Sequence, residues 1–525
     1  MRLAPHRPGT RRYTCLAWLF AGLLAAACQP AAPPSSDSSS RTGLDGAAAT
    51  TVKDTWVVGQ GDEPGTLDPP NNWTTADSAI GAHIFDTLVD IQGPDLQMVG
   101  VIAERWENLS PTVWRFHLRS GLKAHDGGAL QAEDVKYSLE LAMDPKSKTH
   151  GYATDIAQVI VVDPLTVDVV TQAPTAALLV NLSTLFIAPK AARERMGAEA
   201  FGTQPVGTGA YKLVSWQRGQ QLELEANPDW WRGPPQPRRL IFRFLKDPAT
   251  RVAELRTGGV DIIYGIPVPE IAALANGPDT RLLQAKGARL ITYPFNAKKP
   301  PFNDLRVRQA MNYAVDRESI VKTILQGYGS VLTGPFGPGV LGYDPAQEPW
   351  PYDPPKAREL LAQAGYANGL EASWTITDGV FLKDREIAEA VARQLAAVGI
   401  KITLVPTERA KSQADILSGN FSLSTSAWGV SYDPIRMLDW YYVGEKPALP
   451  DDKLPEMIRR AATELDAVKR EQLFREIFRY HVDNALWLYI QAQDELWAKR
   501  ADVDFQLYPV RGNKGTTLFF KVPGA

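Results

Sequence analysis

Both cysteines of this 525-residue chain, Cys15 and Cys28, lie within its first 28 residues. Everything after them must fold without a disulfide, a thiolate metal ligand or a cysteine nucleophile, held by buried apolar surface. The chain is long enough for that. A single hydrophobic core stops growing at about 250–300 residues, so the body is expected to hold two or more domains. Hydrophobic residues make up 44% and charged residues 22%, an ordinary globular mix. The net charge of −3 gives no clustered basic footprint for a nucleic-acid partner.

Residues 1–27 read as an export signal. Arg2, Arg7, Arg11 and Arg12 form a positive start, Cys15 to Ala27 is apolar, and the small run Ala25-Ala26-Ala27 precedes Cys28. The apolar stretch is shorter than the ~20 residues a transmembrane helix needs. The arrangement around Cys28 resembles that of bacterial lipoproteins, which implies lipidation at Cys28. Leu24 stands one place further from the cysteine than the usual pattern, with Ala25 in its position. The competing reading is an Ala-x-Ala signal cleaved before a free cysteine. Arg11-Arg12 also resembles a twin-arginine signal, but an ordinary charged start accounts for it. Residues 28–51 are then the anchor cysteine and a Pro/Ser/Ala-rich tether, too poor in apolar groups to offset the entropy of ordering. These features place the body outside the cytoplasm, in the periplasm or on the cell surface, tied to a membrane through Cys28.

From about residue 52 the pattern mixes strands and helices. Trp114, Phe116 and Leu118 alternate with polar residues, as do Leu222 and Leu224; Leu240, Phe242 and Phe244 repeat every second position. Asp353-Pro354 followed by Ala357, Leu360, Leu361 and Ala364 predicts a capped helix ended by Gly365. Ile387, Val391, Leu395 and Val398 predict another, closed by Gly399 and followed by the alternating strand Ile400 to Leu404. That order is an α/β unit. Asp316 predicts a cap for a helix carrying Ile320, Val321, Ile324 and Leu325, closed by Gly327.

Several motifs follow one another in a fixed order: Leu67-Asp68-Pro69, Phe85-Asp86-Thr87-Leu88, Ala103-Glu104-Arg105-Trp106, His125-Asp126-Gly127, Pro205-Val206-Gly207-Thr208-Gly209-Ala210-Tyr211 and Asn227-Pro228-Asp229-Trp230-Trp231. The run from Pro301 to Arg308 leads into Asn312-Tyr313-Ala314-Val315-Asp316-Arg317. In this order and spacing the chain resembles the extracellular solute-binding proteins of family 5, from dipeptide, oligopeptide and nickel importers. The resemblance implies an α/β, two-lobed clamp of the periplasmic-binding-protein type (type II, cluster C-like) with an extra inserted α/β domain. It implies a first lobe from residues 52–88, 201–290 and 491–525, an inserted domain over 89–200, and a second lobe over 291–490. It further implies a monomer without cofactor, partnered by ABC permease subunits, that closes on a solute and performs no reaction.

Gly207-Thr208-Gly209 is not followed by the Lys-Ser/Thr pair of a phosphate loop, so the glycines are expected to serve a sharp backbone turn. Arg306 and Arg308 are expected to pair with Asp304 or Asp316. The six histidines have no metal-ligand spacing and there is no Gly-x-Ser-x-Gly elbow, although a carboxylate pair of glycosidase type is not excluded by sequence.

For the ligand site the resemblance points to Trp428, Ser431, Tyr432 and Asp433. Peptide-binding relatives place there a tryptophan loop with an aspartate that holds the peptide's ammonium. Ser431 falls at that aspartate's place and cannot balance a buried cation, whose desolvation needs an anion. Asp433 and, from the first lobe, Asp77 after Trp73 are the expected substitutes. Should neither reach, a sugar, a blocked or cyclic peptide, or another neutral solute fits better. Trp487 and Tyr489, on one expected strand face where the second lobe returns to the first, complete the candidate set.

Overall fold

The computed structural model describes residues 53–72, 74–92, 97–377, 380–429, 432–443 and 451–505, and the account below is of these. The alternating patterns form strands with one buried face: Leu240, Phe242 and Phe244 on Arg239–Phe244 are buried, as are Leu222 and Leu224 on Gln221–Ala226. These strands belong to a nine-stranded mixed sheet. In it Thr55–Gln60 lies between Arg239–Phe244 and Ile262–Tyr264, parallel to both. The long strands Thr280–Thr292 and Gln491–Arg500 run antiparallel, with a register shift between Ala285 and Arg289.

This long pair passes from one core to others. Leu283 packs with Trp56, Phe242 and Trp497, whereas Leu290 belongs with Phe336 and Phe478, and Ile291 with Trp374 and Ile387. A separate four-stranded antiparallel sheet has Val113–Leu118 and Thr166–Thr171 in its centre and Ala103–Ser110 and Ile156–Asp163 at its edges. Phe116, Val167 and Val169 pack there against Val135 and Leu139 of the helix Ala132–Met143.

The predicted α/β unit is present. Asp353 accepts a hydrogen bond from the Lys356 N–H at the start of Pro354–Gln363. The helix Asp384–Ala396 is followed by Gly399 in a left-handed conformation, φ 91°, and the strand Ile400–Pro406, which pairs in parallel with Leu370–Ile376. Asp316 caps through the Ser319 N–H at 2.9 Å. The helix it opens is short, Arg317–Ser319, and widens into a single π-turn over Ile320–Ile324 before Gly327.

Several motif residues have roles other than those expected. Gly207 and Gly209 do not adopt positive φ. A Cβ on Gly207 would stand 1.9 Å from the Ile84 carbonyl oxygen, and one on Gly209 2.6 Å from the Ile84 carbonyl carbon. The chain does bend over residues 208–210, and the glycines are further required by close backbone approach to the end of the helix Thr75–Ile84. Arg306 does pair with Asp304, at 2.5 Å, but Arg308 is buried and donates to the carbonyls of Phe302 and Asn484 instead of an acid. The Asp68 of the first motif receives both arms of the buried Arg193 guanidinium, at 2.7 and 2.9 Å.

Asp86 lies where the chain leaves the large sheet for the four-stranded one. Its carbonyl accepts from Ile187 N–H, and its carboxyl accepts from the Thr208 hydroxyl at 3.1 Å. Burial pushes that carboxyl up to about 7. An acid that ionises at higher pH when folded than when unfolded costs stability as pH rises. The cost is absent below the unfolded value of 3.8, grows through the folded value and is complete above it. Asp86→Asn keeps an acceptor for Thr208 and removes the buried charge. It is expected to stabilise the protein by roughly 1–3 kcal/mol at pH 8, with the gain shrinking toward pH 4. Urea melts of both proteins across that range measure it; a pH-independent difference would count against the assignment.

Candidate functional site

The helix Ile435–Tyr442 organises the region after Trp428. Ile435, Leu438, Tyr441 and Tyr442 turn inward and are buried. Arg436, Asp439 and Trp440, spaced i, i+3 and i+4, share another face. Its first N–H, on Ile435, is bound by the Asp433 carboxylate at 3.0 Å. Its last turn is anchored by a buried relay. The Tyr442 hydroxyl lies 2.6 Å from Nε2 of His481, and Nδ1 of His481 lies 2.6 Å from the Tyr489 hydroxyl, which donates to the His481 carbonyl. Because the Tyr489 proton is directed at that carbonyl, Nδ1–H donates to Tyr489 and Nε2 accepts from Tyr442. Burial lowers His481 to about 3, so the imidazole stays neutral.

The outer face of this helix and Trp428 border a cavity of about 380 Å³. Trp428 sits on the strand Ser426–Gly429, opposite Leu290, and meets Trp440 edge-on with ring centres 5.7 Å apart. The far wall comes from residues 151–181, with Asp155 and Asn181 among the lining groups. Arg436 bridges the two sides. Its guanidinium donates to the Gly151 carbonyl and lies 3.9 Å from the centre of the Tyr152 ring. The Ala176 N–H also donates to the Ala462 carbonyl, at 3.1 Å. Burial pushes Asp155 up, with Arg436 opposing, and burial lowers Arg436.

The expected site residues are divided by this geometry. Trp428 borders the cavity, whereas Tyr432, four residues on and 36% exposed, is not among its lining residues. Asp433 is 2% exposed and paired with the buried Arg470, so its carboxylate serves the fold. Asp77 is likewise taken up: it forms a capping box with Thr74 and accepts from the Gly65 N–H at 2.7 Å. Trp487 and Tyr489 are each 1% exposed. They lie in a connecting segment with one isolated bridge, Pro294 to Trp487, not on the expected strand face. Trp487 packs edge-on against Tyr441 and His481, and both residues belong to the core. Trp73, Ser431 and Cys28 lie outside the described residues.

Asp155, Asn181, Arg436 and Trp440 were not singled out from sequence. The spacing of Arg436, Asp439 and Trp440 after Asp433-Pro434 is a local signal of a helix face that could have been read. Nothing near Asp155 announces that it meets them.

Three comparisons bear on this arrangement. The profile of the family described as bacterial extracellular solute-binding proteins, family 5, middle region, matches residues 97–447. The chain is 31% identical over 386 residues, 71% of its own length and 73% of the relative's, to the glutathione-binding protein GsiB of Shigella boydii. It is 28% identical over 394 residues, 69% and 72% of the two lengths, to heme-binding protein A of Haemophilus influenzae. The solved structure of HbpA2 from Haemophilus parasuis superposes with a TM-score of 0.78 at 26% identity, covering 89% of this chain and 99% of that one.

Proposed function

This chain belongs to the bacterial extracellular solute-binding proteins of family 5, and from that premise we propose that it is the extracytoplasmic binding component of an ABC importer, capturing a small solute and handing it unchanged to a membrane permease. Its fold is the mixed α/β arrangement of the type II periplasmic binding proteins. In this reading the first lobe takes residues 52–88, 201–290 and 491–525, the inserted domain 89–200 and the second lobe 291–490. The paired strands Thr280–Thr292 and Gln491–Arg500, which leave one core and enter others, then form the two-segment hinge. Two antiparallel connections side by side restrict motion to opening and closing, and a solute bound by both lobes stabilises the closed form through contacts the open form lacks.

The observation that carries this reading is the cavity beside Trp428, whose walls come from residues 151–181 on one side and the helix Ile435–Tyr442 on the other. In this reading the hydrogen bonds that join the two walls, Arg436 to the Gly151 carbonyl and Ala176 N–H to the Ala462 carbonyl, are contacts of the closed form. Trp428 offers the solute an aromatic face, and lipidated Cys28 tethers the monomer to the membrane. Among the described residues no helix is long and apolar enough to cross a membrane.

Trp428→Ala is expected to weaken capture of solute from a host-cell small-molecule extract by roughly 10- to 100-fold, as removal of an aromatic contact worth about 1.5–3 kcal/mol requires, while the protein, losing the ring contacts with Trp440 and Tyr441, melts lower but stays folded. Native mass spectrometry reads both the bound solute and its mass. Unchanged capture removes Trp428 from the site, and a solute released with an altered mass replaces the binding reading with a hydrolase.

A further inference from the structure

Arg436 stands where the two walls of the cavity meet. Its Nη1 donates to the Gly151 carbonyl and reaches Asn181 Oδ1 at 3.5 Å. The plane of its guanidinium lies against Tyr152, 3.9 Å from the ring centre. Nearby the Ala176 N–H donates to the Ala462 carbonyl, at 3.1 Å, on the helix Lys453–Thr463. Ala177 joins the core that holds Ile435 and Leu438. Much of the cavity between the walls is polar, lined by Thr154, Asp155, Thr175, Asn181, Asp439 and Thr463. Such groups lose hydration when two surfaces meet without a partner for each, so this part of the interface resists closing dry. The contacts of Arg436 and Ala176 at its border therefore weigh heavily in keeping the walls together. A guanidinium suits that place. Its planar face stacks on an aromatic ring while its edge bonds a carbonyl, and it returns to water at modest cost when the walls part.

We propose that Arg436, seated on the Tyr152 ring and the Gly151 carbonyl, is a clasp that sets how long a captured solute is held, whatever that solute is. It is a positioning residue: it acts by keeping residues 151–181 against the helix Ile435–Tyr442, and the solute leaves when that contact opens. Tyr152 makes the assignment testable, because it is not among the residues lining the cavity. A change at Tyr152 reaches the solute only through the clasp, whereas Arg436 lines the cavity itself. Loss of the clasp shifts the closed-to-open ratio, and such a shift appears mainly in the rate of release. This assignment rests on the capture reading above and names what controls release from that site.

The test compares the whole protein with Tyr152→Leu, Arg436→Gln and Arg436→Lys by two measurements. Amide hydrogen exchange at Ala176 reports separation of the walls, and exchange in the central strand Thr166–Thr171 reports the integrity of the sheet beside them. Each protein is also loaded from a host-cell small-molecule extract and diluted, and native mass spectrometry follows loss of the retained species with time. Tyr152→Leu and Arg436→Gln are each expected to speed both Ala176 exchange and release by about tenfold, with the strand amides unchanged. Arg436→Lys, which keeps a cation over the ring but not the planar fork, should fall between them and the parent. Unchanged Ala176 exchange in Tyr152→Leu and Arg436→Gln overturns the clasp, and so does faster exchange with release as in the parent. Faster release in Arg436→Gln alone, with Tyr152→Leu like the parent, overturns it in favour of direct contact between Arg436 and the solute. Where the strand amides of a variant accelerate as well, its sheet has loosened, and Arg436→Lys decides by the same two rates. A parent that captures nothing from the extract loses the capture reading and the clasp with it; one that captures a solute while its variants behave as the parent does loses only the clasp.

Discussion

Replacing Arg317 with methionine is expected to lower folding stability by at least about 4 kcal/mol, enough to unfold a marginal protein near ambient temperature. The side chain is 3% exposed. Among the described residues no carboxylate bonds to it; its guanidinium donates to five acceptors, the carbonyls of Asn312, Val315, Trp350 and Tyr489 and the amide oxygen of Asn312. Burial disfavours its charge, and this ring of oxygens, with the neighbouring Asp316 charge, offsets that cost. Methionine matches the length of the stem and supplies no donor, so the acceptors stay buried and unsatisfied at about 1–3 kcal/mol each, partly relieved by relaxation. Lysine keeps the charge but presents a compact ammonium in place of a planar fork, and should recover less than half of the loss. Melting curves for the three proteins decide the matter. A methionine variant within 1 kcal/mol of the parent on the urea scale, a difference set here as roughly the value of one ordinary hydrogen bond, would mean that the oxygens find other donors. The expected penalty also explains the physical content of the Ala314-Val315-Asp316-Arg317 run: Asp316 opens the helix, and Arg317 ties it to Trp350 and to Tyr489, just before the strand Gln491–Arg500.

What the sequence revealed, and what it hid, follows from the range of the interactions involved. The helix from Pro354 was readable because cap, stripe and terminal glycine lie within one short segment. The alternation of Leu240, Phe242 and Phe244 was readable because burial of one sheet face is written into every second residue. Gly207 and Gly209 were marked as glycine-requiring through the bend that follows, but the obstructing atoms, which belong to Ile84 in a segment far away in sequence, could not be read. The apolar and polar pattern around Trp487 and Tyr489 fits a strand face as well as a core segment. The His481 relay, which decides between them, depends on Tyr442. The same limit governed the carboxylates. Asp433 beside Trp428 looks available in sequence, and its partner lies 37 residues on. Asp155 looks unremarkable, and the contact that brings its wall to Arg436 spans 285 residues.

The placement of Asp433 has a consequence that separates a structural carboxylate from a ligand-binding one. Asp433 and Arg470 form an ion pair with side chains 1% and 8% exposed. Removing one member strands the other, which costs about 3–5 kcal/mol, whereas removing both in favour of apolar groups is often close to neutral. Asp433→Ala is therefore expected to lose about 3–5 kcal/mol, the larger part from a stranded Arg470 and about 1 kcal/mol from the uncapped Ile435 N–H. Arg470 already carries a buried Nη2 without an acceptor among the described residues, so its charge is poorly compensated even with Asp433 present. Arg470→Met in the Asp433→Ala background should then restore most of the loss, leaving a coupling energy of at least about 2 kcal/mol in the double-mutant cycle. Solute capture provides the discriminating readout. With Asp433 serving only to hold the helix Ile435–Tyr442, the repaired double variant keeps Arg436 and Trp440 in place and binds within a few-fold of the parent. With Asp433 contacting the solute's cationic end, the double variant folds and fails to bind, because the missing anion has not been replaced.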